Sequence, residues 1–266
     1  MVRTLAFASG KGGVGKTSLA VNSAISLAQD GHRVAMLDAD FGLSNANIML
    51  NIKTENTISD VLTGNCEIES AVYETFFDIK LISGGSGTLN ALNLDSEERW
   101  KIIRSLDFLE PNIDYLIVDS PAGASNSSIE FAAAVDHVVI TLVGEPTSFM
   151  DAYAFLKALH LEKGVENFSI IVNMANSEQN ALRDFKSFET IALKFLPVNL
   201  SFLGWMPGSN EIVQSIIARK PIALNKRAPK QISRCLEVIK NNIVTAGPNN
   251  GTGIRFFSSK SNPEND

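Results

Sequence analysis

The feature that most constrains the fold is a glycine-rich run near the start of the chain, Gly10-Lys11-Gly12-Gly13-Val14-Gly15-Lys16-Thr17. It fits the phosphate-loop pattern G-x-x-x-x-G-K-[ST], which requires a buried strand before the loop and a helix after it. The apolar residues 4–8 supply the strand. Residues 16–29 carry small and apolar side chains near one face, as a helix does, and Gly31 can end that helix. The sequence therefore predicts a strand–loop–helix unit that binds a nucleoside triphosphate.

Each part of this loop has a predicted role in holding phosphate. Glycines let the backbone turn tightly and turn successive N–H groups toward phosphate oxygens, while the helix N-terminus adds the positive end of its dipole. Lys16 is expected to reach the β- and γ-phosphates, and the Thr17 hydroxyl is expected to bind Mg²⁺. The predicted nucleotide contacts here are Gly12, Gly13, Val14, Gly15, Lys16, Thr17 and Ser18. The loop also carries a second lysine, Lys11, that the general pattern does not require.

Strand-like and helix-like segments alternate along the rest of the chain. Further strands are predicted at residues 33–38, 80–83, 115–119, 137–143, 169–173 and 200–204, and helices at 96–109, 127–134, 148–161, 181–195, 210–218 and 229–243. Because the strands are apolar throughout, they are expected to be buried on both faces. The predicted fold class is α/β, a single P-loop domain with a mostly parallel twisted sheet of about seven or eight strands and helices on both faces.

The predicted domain boundary lies near the carboxyl end. Residues 1–245 are expected to form the P-loop domain, because no repeat or linker divides them. Residues 246–253 are rich in glycine, proline and asparagine, which are breakers of regular structure. Residues 246–266 are therefore predicted to form a flexible tail with a short apolar island at Ile254-Arg255-Phe256-Phe257. Two phenylalanines bury too little area for firm membrane anchoring, so weak or no membrane binding is expected.

Composition and charge exclude several classes. The chain has 266 residues, 45% of them hydrophobic and 20% charged, enough for one α/β domain with a sizeable core. Its net charge of −6 counts against non-specific DNA binding, which needs many cations. Between Arg219 and Lys240, seven cations and one acid are typical of a solvated helix face, with a contact to acidic lipid or to a partner protein as the alternative. Two distant cysteines, Cys66 and Cys235, indicate no disulfide, zinc or iron–sulfur site.

Carboxylates follow two of the predicted strands. Asp38 and Asp40 end the strand at 33–38, and residues two apart on a strand share a face. Asp119 follows four apolar residues, the shape of a Walker B strand, whose carboxylate supports Mg²⁺. The loop Ser120-Pro121-Ala122-Gly123 comes next and is able to sense a γ-phosphate. Taken singly, an acid after a strand is as often a turn or cap residue, so the prediction rests on their joint occurrence.

These motifs together resemble one class of nucleotide-binding proteins. The run from Lys11 to Thr17 is similar to the deviant Walker A motif of the MinD/ParA class. Residues 38–45 and 119–123 are similar to its two switch regions. Residues 145–154, 172–177 and 57–64 resemble the FlhG/FleN branch, the regulators of flagellar number and placement. The resemblance covers residues 2–240.

The resemblance implies roles for particular residues, with ATP or ADP and Mg²⁺ as cofactors. Two ATP-loaded subunits would form a homodimer in which Lys11 reaches the partner's phosphates, Lys16 binds and assists at its own nucleotide, and Asp40 positions the attacking water. Asp38 and Asp119 would support Mg²⁺ together with Thr17, through its water shell. The remaining implied contacts are Gly123 in the second switch region, Glu145 with the partner's ribose, and Asn173, Pro207, Gly208 and Ser209 with adenine.

The implied function is an ATP-dependent dimerising switch with slow Mg-ATPase activity that regulates flagellar number or placement. Its implied partners are a flagellar transcription activator and a signal-recognition-type flagellar GTPase, with the helix around residues 151–161 as a docking face. It is expected in the cytoplasm, either free or peripheral at the inner face of the cell membrane or at the cell pole. The alternatives are a MinD-like cell-division ATPase, a ParA-type partition ATPase whose direct DNA binding the acidic balance disfavours, and a metal carrier on the same fold.

Overall fold

A single eight-stranded sheet organises the molecule, described here from a computed structural model that covers residues 2–41, 44–85, 94–246 and 254–258. The strands are β1 (Arg3–Ala8), β2 (Val34–Asp38), β3 (Val72–Glu74), β4 (Ile79–Ile82), β5 (Tyr115–Asp119), β6 (His137–Val143), β7 (Asn167–Ala175) and β8 (Asn199–Pro207). Their order across the sheet is β3-β4-β2-β5-β1-β6-β7-β8, and every neighbouring pair except β3 with β4 is parallel. The predicted α/β fold with a mostly parallel sheet is confirmed.

Helices cover the sheet in two layers. The helices are α1 (Lys16–Gln29), α2 (Ala46–Met49), α3 (Ile58–Leu62), α4 (Ser96–Ser105), α5 (Asn126–Ala133), α6 (Pro146–Lys163), α7 (Glu178–Phe195), α8 (Asn210–Ile217) and α9 (Lys230–Thr245). One layer joins α1 with α9, and the other joins α4, α5 and α6. The strands between them read as continuous apolar runs because both faces are covered, and all five residues of β2 and of β5 are buried.

The structure differs from the sequence-based expectation at several elements, and three of the differences are informative. The short antiparallel strand β3 was not predicted, since three residues with a charged end, Glu74, carry too weak a pattern. The helix predicted at 96–109 ends at Ser105 and continues as a 3₁₀ helix, Asp107–Asn112, which contains Pro111. The edge strand β8 is longer than predicted and carries a bulge where Ile170 and Ile171 pair with Phe202 and Gly204.

The apolar island near the carboxyl end packs against the domain. Phe256 is 5% exposed, belongs to the main core cluster, and donates its backbone N–H to the Ala134 carbonyl at 3.0 Å. Arg255 pairs with Asp136, with 2.8 Å between Nη2 and Oδ1. Residues 247–253 and 259–266 of the predicted tail lie outside the described residues, so the boundary after residue 245 stays a prediction, as does weak or no membrane binding.

We expect Phe256→Ala to lower the free energy of unfolding by about 3 kcal/mol, because it empties a buried aromatic site. Phe257→Ala is the matched control, since the neighbouring ring is only half-buried and should cost markedly less. Urea unfolding of both variants gives the comparison. Equal midpoints for the two variants would show that the island contributes no specific packing.

Candidate functional site

The glycine-rich loop connects β1 to α1 at the centre of the sheet. Strand β1 lies between β5 and β6, so the loop emerges where the strand order reverses, the usual ligand position in open α/β sheets. Gly13 and Gly15 have φ of 82° and 84°, a conformation that favours glycine. No side chain caps α1, whereas side chains cap α4, α5, α7 and α8. The first N–H groups of α1 are thus left for an anion.

One side of the loop is tightly packed and the other is open. A Cβ added to Gly10 would lie 2.1 Å from the backbone of Asp151 in α6, and one added to Gly15 would lie 2.3 Å from Nδ2 of Asn173. A Cβ added to Gly12 or Gly13 would meet nothing within 4 Å. The loop therefore forms a backbone cradle that is packed on one side and, at Gly12 and Gly13, open on the side where phosphate groups can approach.

A buried lysine and two buried acids lie beneath this cradle. Asp38 and Asp119 end neighbouring strands in direct register, and both are 1% exposed. Nζ of Lys16 forms an ion pair with Oδ1 of Asp119. The structure thus brings Lys16, at the start of α1, to the carboxylates that the sequence placed at the strand ends. Thr17, beside Lys16, is half-buried at the same helix end.

Asp38 anchors the segment that follows β2. Its Oδ2 accepts hydrogen bonds from the Ser44 hydroxyl at 2.7 Å and from the backbone N–H groups of Asn45 and Ala46, both at 2.9 Å. Burial, and then the neighbouring Asp119 carboxylate, raises the pKa of Asp38 to about 6. A buried carboxyl with a raised pKa is typical of a functional site.

The predicted switch residues lie close to this acid pair. The backbone N–H of Asp40 donates to Oδ1 of Asp38 at 3.1 Å, and Asp40 itself is half-buried. In the second loop, Gly123 has φ of 84° and donates its N–H to the Ser9 carbonyl at 2.9 Å. Gly42 and Leu43 of the first switch region lie outside the described residues. The backbone of the second predicted switch loop is therefore attached to the residue that precedes the phosphate loop, whereas the start of the first is held by the buried Asp38 carboxylate.

The second lysine of the loop points away from the first. Nζ of Lys11 lies 3.0 Å from Oε2 of Glu145 and 3.3 Å from Oγ1 of Thr147, at the start of α6. The Glu145 side chain is 63% exposed and that of Lys11 is 31% exposed. One short loop therefore presents a cation to the interior through Lys16 and another to the surface through Lys11.

Comparison with known proteins identifies the family. Residues 1–244 match the ParA family, described as NUBPL iron-transfer P-loop NTPase. The antiactivator FleN of Pseudomonas aeruginosa is 33% identical over 221 residues, which cover 83% of this chain and 79% of that protein. The chain belongs to the ParA/MinD family of P-loop NTPases. The predicted resemblance is confirmed, and membership in a family of P-loop ATPases places ATP hydrolysis within its general chemistry.

Two further relatives extend the comparison. The flagellum site-determining protein YlxH of Helicobacter pylori is 29% identical over 229 residues, 86% of this chain and 76% of that protein. Among solved structures, the septum site-determining protein MinD of Pyrococcus horikoshii OT3, complexed with Mg-ADP, superposes with a TM-score of 0.75 at 19% identity. That superposition covers 91% of this chain and 96% of the other, and at this identity it shows the fold alone.

The residues implied by the family resemblance to contact adenine lie together beside the loop. Asn173 is 7% exposed and donates Nδ2 to the Val14 carbonyl at 2.7 Å, which leaves its Oδ1 to accept from a base. Pro207 ends β8, the Gly208 N–H bonds to the Ala175 carbonyl at 3.2 Å, and Ser209 caps α8. Their role toward adenine stays a prediction.

Sequence reasoning missed two features of this site. Thr147 lies within a run that was singled out, yet its contact with Lys11 depends on how β6 meets α6, which no local pattern reports. Met174 has φ of 56°, a left-handed conformation that is costly for a side chain of this kind, and it is 51% exposed beside Asn173. Neither a threonine nor a methionine at these positions indicates, from sequence alone, the contact with Lys11 or the left-handed backbone.

The donor chemistry of the acid pair suits Mg²⁺. The Thr17 hydroxyl and the two carboxylates are hard oxygen donors, and Mg²⁺ in nucleotide sites keeps several waters and binds phosphate oxygens. Within the described ranges, no cluster of three or more His, Cys, Asp or Glu is arranged to hold a metal ion. The oxygen donors at this site fit an ion that arrives with the nucleotide. In the same described part of the chain, no helix is long and apolar enough to cross a bilayer.

We predict that the raised pKa of Asp38 makes stability fall as pH rises from about 4 to about 6 in EDTA without nucleotide. The folded carboxyl holds its proton more tightly than the unfolded one, whose pKa is about 3.9, so protonation stabilises the fold below that value. The contribution is lost as pH passes about 6 and amounts to at most about 3 kcal/mol.

Urea unfolding of wild type and Asp38→Asn at pH 4 and pH 7 measures this effect as a difference. Taking the difference removes background titrations such as that of Asp114, whose pKa the Arg33 guanidinium lowers to about 2. We expect the pH dependence to shrink in Asp38→Asn. An unchanged dependence would show that folding does not raise the pKa of Asp38.

Proposed function

We propose that this protein is an ATP-dependent dimerising switch with slow Mg-ATPase activity, and that it regulates the number or placement of flagella. The observation that carries the switch is the divergence of two lysines from one loop, Lys16 toward Asp119 and Lys11 toward the surface. The flagellar assignment is supported by the two flagellar relatives, FleN and YlxH.

The interior residues account for nucleotide binding in this proposal. The backbone N–H groups of the loop and of the α1 N-terminus surround the phosphates, and Lys16 neutralises charge on the β- and γ-phosphates. Mg²⁺, when bound, supplies further neutralisation of the phosphate oxygens. Asp38 and Asp119 would support the ion through its water shell, and Thr17 would offer a direct oxygen donor. Lys16 is already paired with Asp119, so its ammonium group lies beside one of the acids that would support Mg²⁺ and beneath the loop that would bind the phosphates.

Residues nearer the surface account for hydrolysis and for dimerisation. Asp40, whose backbone is fixed to Asp38 at 3.1 Å, positions and polarises the attacking water. Lys11 exchanges its partner Glu145 for phosphates of a second subunit and offsets charge that develops during transfer. Glu145, thereby released, contacts the ribose bound by that subunit, while Asn173 and residues 207–209 hold adenine.

We expect Asp40→Ala to keep the ATP-dependent dimer while hydrolysis falls at least about 100-fold, because it removes a group that acts on the water rather than on the nucleotide. Phosphate release under single-turnover conditions measures the loss. Asp30→Ala is the matched control, since Asp30 ends α1 at the opposite end from the loop. Hydrolysis within threefold of wild type in Asp40→Ala would remove this residue from the mechanism.

The two flagellar relatives support the proposed cellular role. A flagellar transcription activator and a signal-recognition-type flagellar GTPase are the proposed partners, and the cytoplasm, its membrane face or the cell pole is the proposed location. Direct DNA binding and firm membrane attachment are not part of the proposal. Deleting the gene and counting flagella by electron microscopy is the test, with altered number or position expected. Unchanged flagella would reject the assignment and leave the ATPase chemistry standing.

A MinD-like role in cell division is the second candidate, favoured by septum site-determining relatives at 29% identity or below. Misplaced septa with normal flagella in the same deletion strain would support it. A ParA-type partition role would instead show an ATP-dependent, salt-sensitive shift of duplex DNA. Iron transfer is disfavoured because the two cysteines, Cys66 and Cys235, lie far apart in sequence and form no C-x-x-C pair.

A further inference from the structure

A large groove lies on the surface between the β3–β4 turn and α8, away from the phosphate loop. Its volume is about 950 Å³, near the upper end of the range for small-ligand pockets. One wall carries Phe76 and Phe77 from the turn together with Leu50 at the end of α2. The other wall is formed by α8 and the segment from Arg219 to Arg227 that follows it. None of the roles described above uses this groove.

The turn presents an unusual degree of apolar exposure. Phe76 is 93% exposed, whereas its neighbour Phe77 packs partly against the core. The Thr75 hydroxyl accepts hydrogen bonds from the backbone N–H groups of Phe77 and Ile79, both at 3.2 Å, so the turn that carries Phe76 is internally fixed. A fully exposed aromatic ring on a fixed turn, beside an apolar groove, is typical of an anchor for a protein partner.

The opposite rim is strongly cationic. Arg219, Lys220, Lys226 and Arg227 line the groove and are all exposed. None of the four forms an ion pair with any residue that the structure describes. Glu211 is the one acid among the described lining residues, and it accepts a hydrogen bond from Ser209. In a chain of net charge −6, four unpaired cations beside an apolar floor indicate an acidic occupant.

We propose that this groove binds an acidic amphipathic helix of a partner protein. The apolar face of this partner helix would cover Phe77, Leu50 and Leu224, and the acidic flank of the helix would meet the cationic rim. A lipid surface is a poorer match, because a planar bilayer cannot descend to the apolar floor of a concave groove. Duplex DNA has no apolar face to cover that floor.

The groove is connected to the nucleotide site through both of its walls. Helix α2 starts where Asp38 accepts the N–H groups of Asn45 and Ala46, and it ends at Leu50 in the groove. Helix α8 starts at Ser209, directly after the residues proposed to hold adenine. A change at either point would alter the groove, so occupancy and nucleotide state should be coupled. This coupling rests on the proposed function, whereas the docking itself does not.

The test uses a fluorescein-labelled synthetic helix of about 18 residues, with leucines along one face and glutamates on the other. The fluorescence anisotropy of this peptide, titrated with the 266-residue chain, should show saturable binding that weakens as salt is raised. The groove variant Phe76→Ser/Lys226→Glu/Arg227→Glu should raise the Kd at least about tenfold, since it removes the anchor and reverses the rim. All three side chains are exposed, so the variant is expected to fold.

Controls distinguish binding in the groove from non-specific binding elsewhere on the surface. Phe195→Ser/Lys194→Glu removes a 62% exposed phenylalanine and an adjacent exposed lysine at the end of α7, and its Kd should stay within twofold of wild type. A helix with lysines in place of glutamates, and a scrambled acidic peptide, should not bind. Equal binding of the scrambled peptide, or of the acidic helix to the groove variant, would overturn the proposal.

Two further measurements distinguish other outcomes. Groove-dependent binding to vesicles containing phosphatidylserine, without binding of the acidic helix, would assign the surface to lipid and overturn the proposal. Titration of the acidic helix with ADP and with a non-hydrolysable ATP analogue tests the coupling, and a several-fold difference in Kd is expected. Equal Kd values, in a protein shown separately to bind both nucleotides, would reject the coupling while the docking site stands.

Discussion

Lys16→Ala is expected to weaken binding of Mg-ADP and of a Mg-ATP analogue by at least about 100-fold, close to abolishing it. The Lys16 side chain is 8% exposed and contacts Asp119, itself 1% exposed, beneath the loop. Charge-assisted hydrogen bonds to phosphate in such a dry position are among the strongest that a protein makes. Calorimetric titration of the nucleotide measures the loss.

The same substitution should also destabilise the protein without nucleotide. Removing the lysine leaves Asp119 and Asp38 buried side by side without a compensating cation, a loss of about 3 kcal/mol or more. Lys16→Ala/Asp119→Asn is the matched control, because it removes the stranded charge and should recover much of the stability. It should not recover nucleotide binding. If the double variant binds ADP as wild type does, Lys16 is a structural counter-ion rather than a phosphate ligand.

Lys11→Ala is expected to remove ATP-dependent dimerisation while leaving ADP affinity of the monomer within about twofold of wild type. Its contacts with Glu145 and Thr147 lie at the surface, where an ion pair contributes at most about 1 kcal/mol, so stability should hardly change. The cation itself is needed only when a second set of phosphates approaches. Light scattering with a non-hydrolysable ATP analogue and Mg²⁺ gives the measurement.

Thr147→Val provides the control for this experiment. It removes the hydroxyl that Lys11 contacts at 3.3 Å and preserves both charges, so the dimer should still form. A Lys11→Ala protein that dimerises normally would contradict the role across the interface. Loss of dimer in Thr147→Val as well would mean that the shape of this corner, rather than the lysine charge, controls association.

Local sequence patterns sufficed for the parts of the fold that depend on local interactions. The long apolar runs and the loop motif predict the central strands and α1, because burial on both faces and tight turning each leave a direct mark on residue choice. Local patterns did not predict strand β3 or helices α2 and α3, because each spans five residues or fewer and is fixed by contacts distant in sequence. Thr57 and Asp60, for instance, form a capping box that is visible only once the helix is known.

The residues of the candidate site also divide into those that local patterns predict and those whose contacts depend on tertiary packing. Asp38 and Asp119 were predicted at the ends of separate strands, and parallel pairing alone brings them into register. The outward pairing of Lys11 with Glu145 and the bond from Asn173 to Val14 depend on how α6 and β7 approach the loop. Such tertiary distances follow from packing of the whole sheet, and no spacing in the sequence reports them.

The closeness of Gly10 to α6 has a mechanical consequence. With no room for even one carbon atom between the loop and the backbone at Asp151, the two segments cannot slide past each other independently. A displacement of the loop by a fraction of an ångström on nucleotide binding must therefore be taken up by this helix of 18 residues, whose far end at Lys163 lies about 18 Å from Asp151. Helix α6 would move as a rigid body, so a small movement at the phosphates would displace a remote point on the molecular surface.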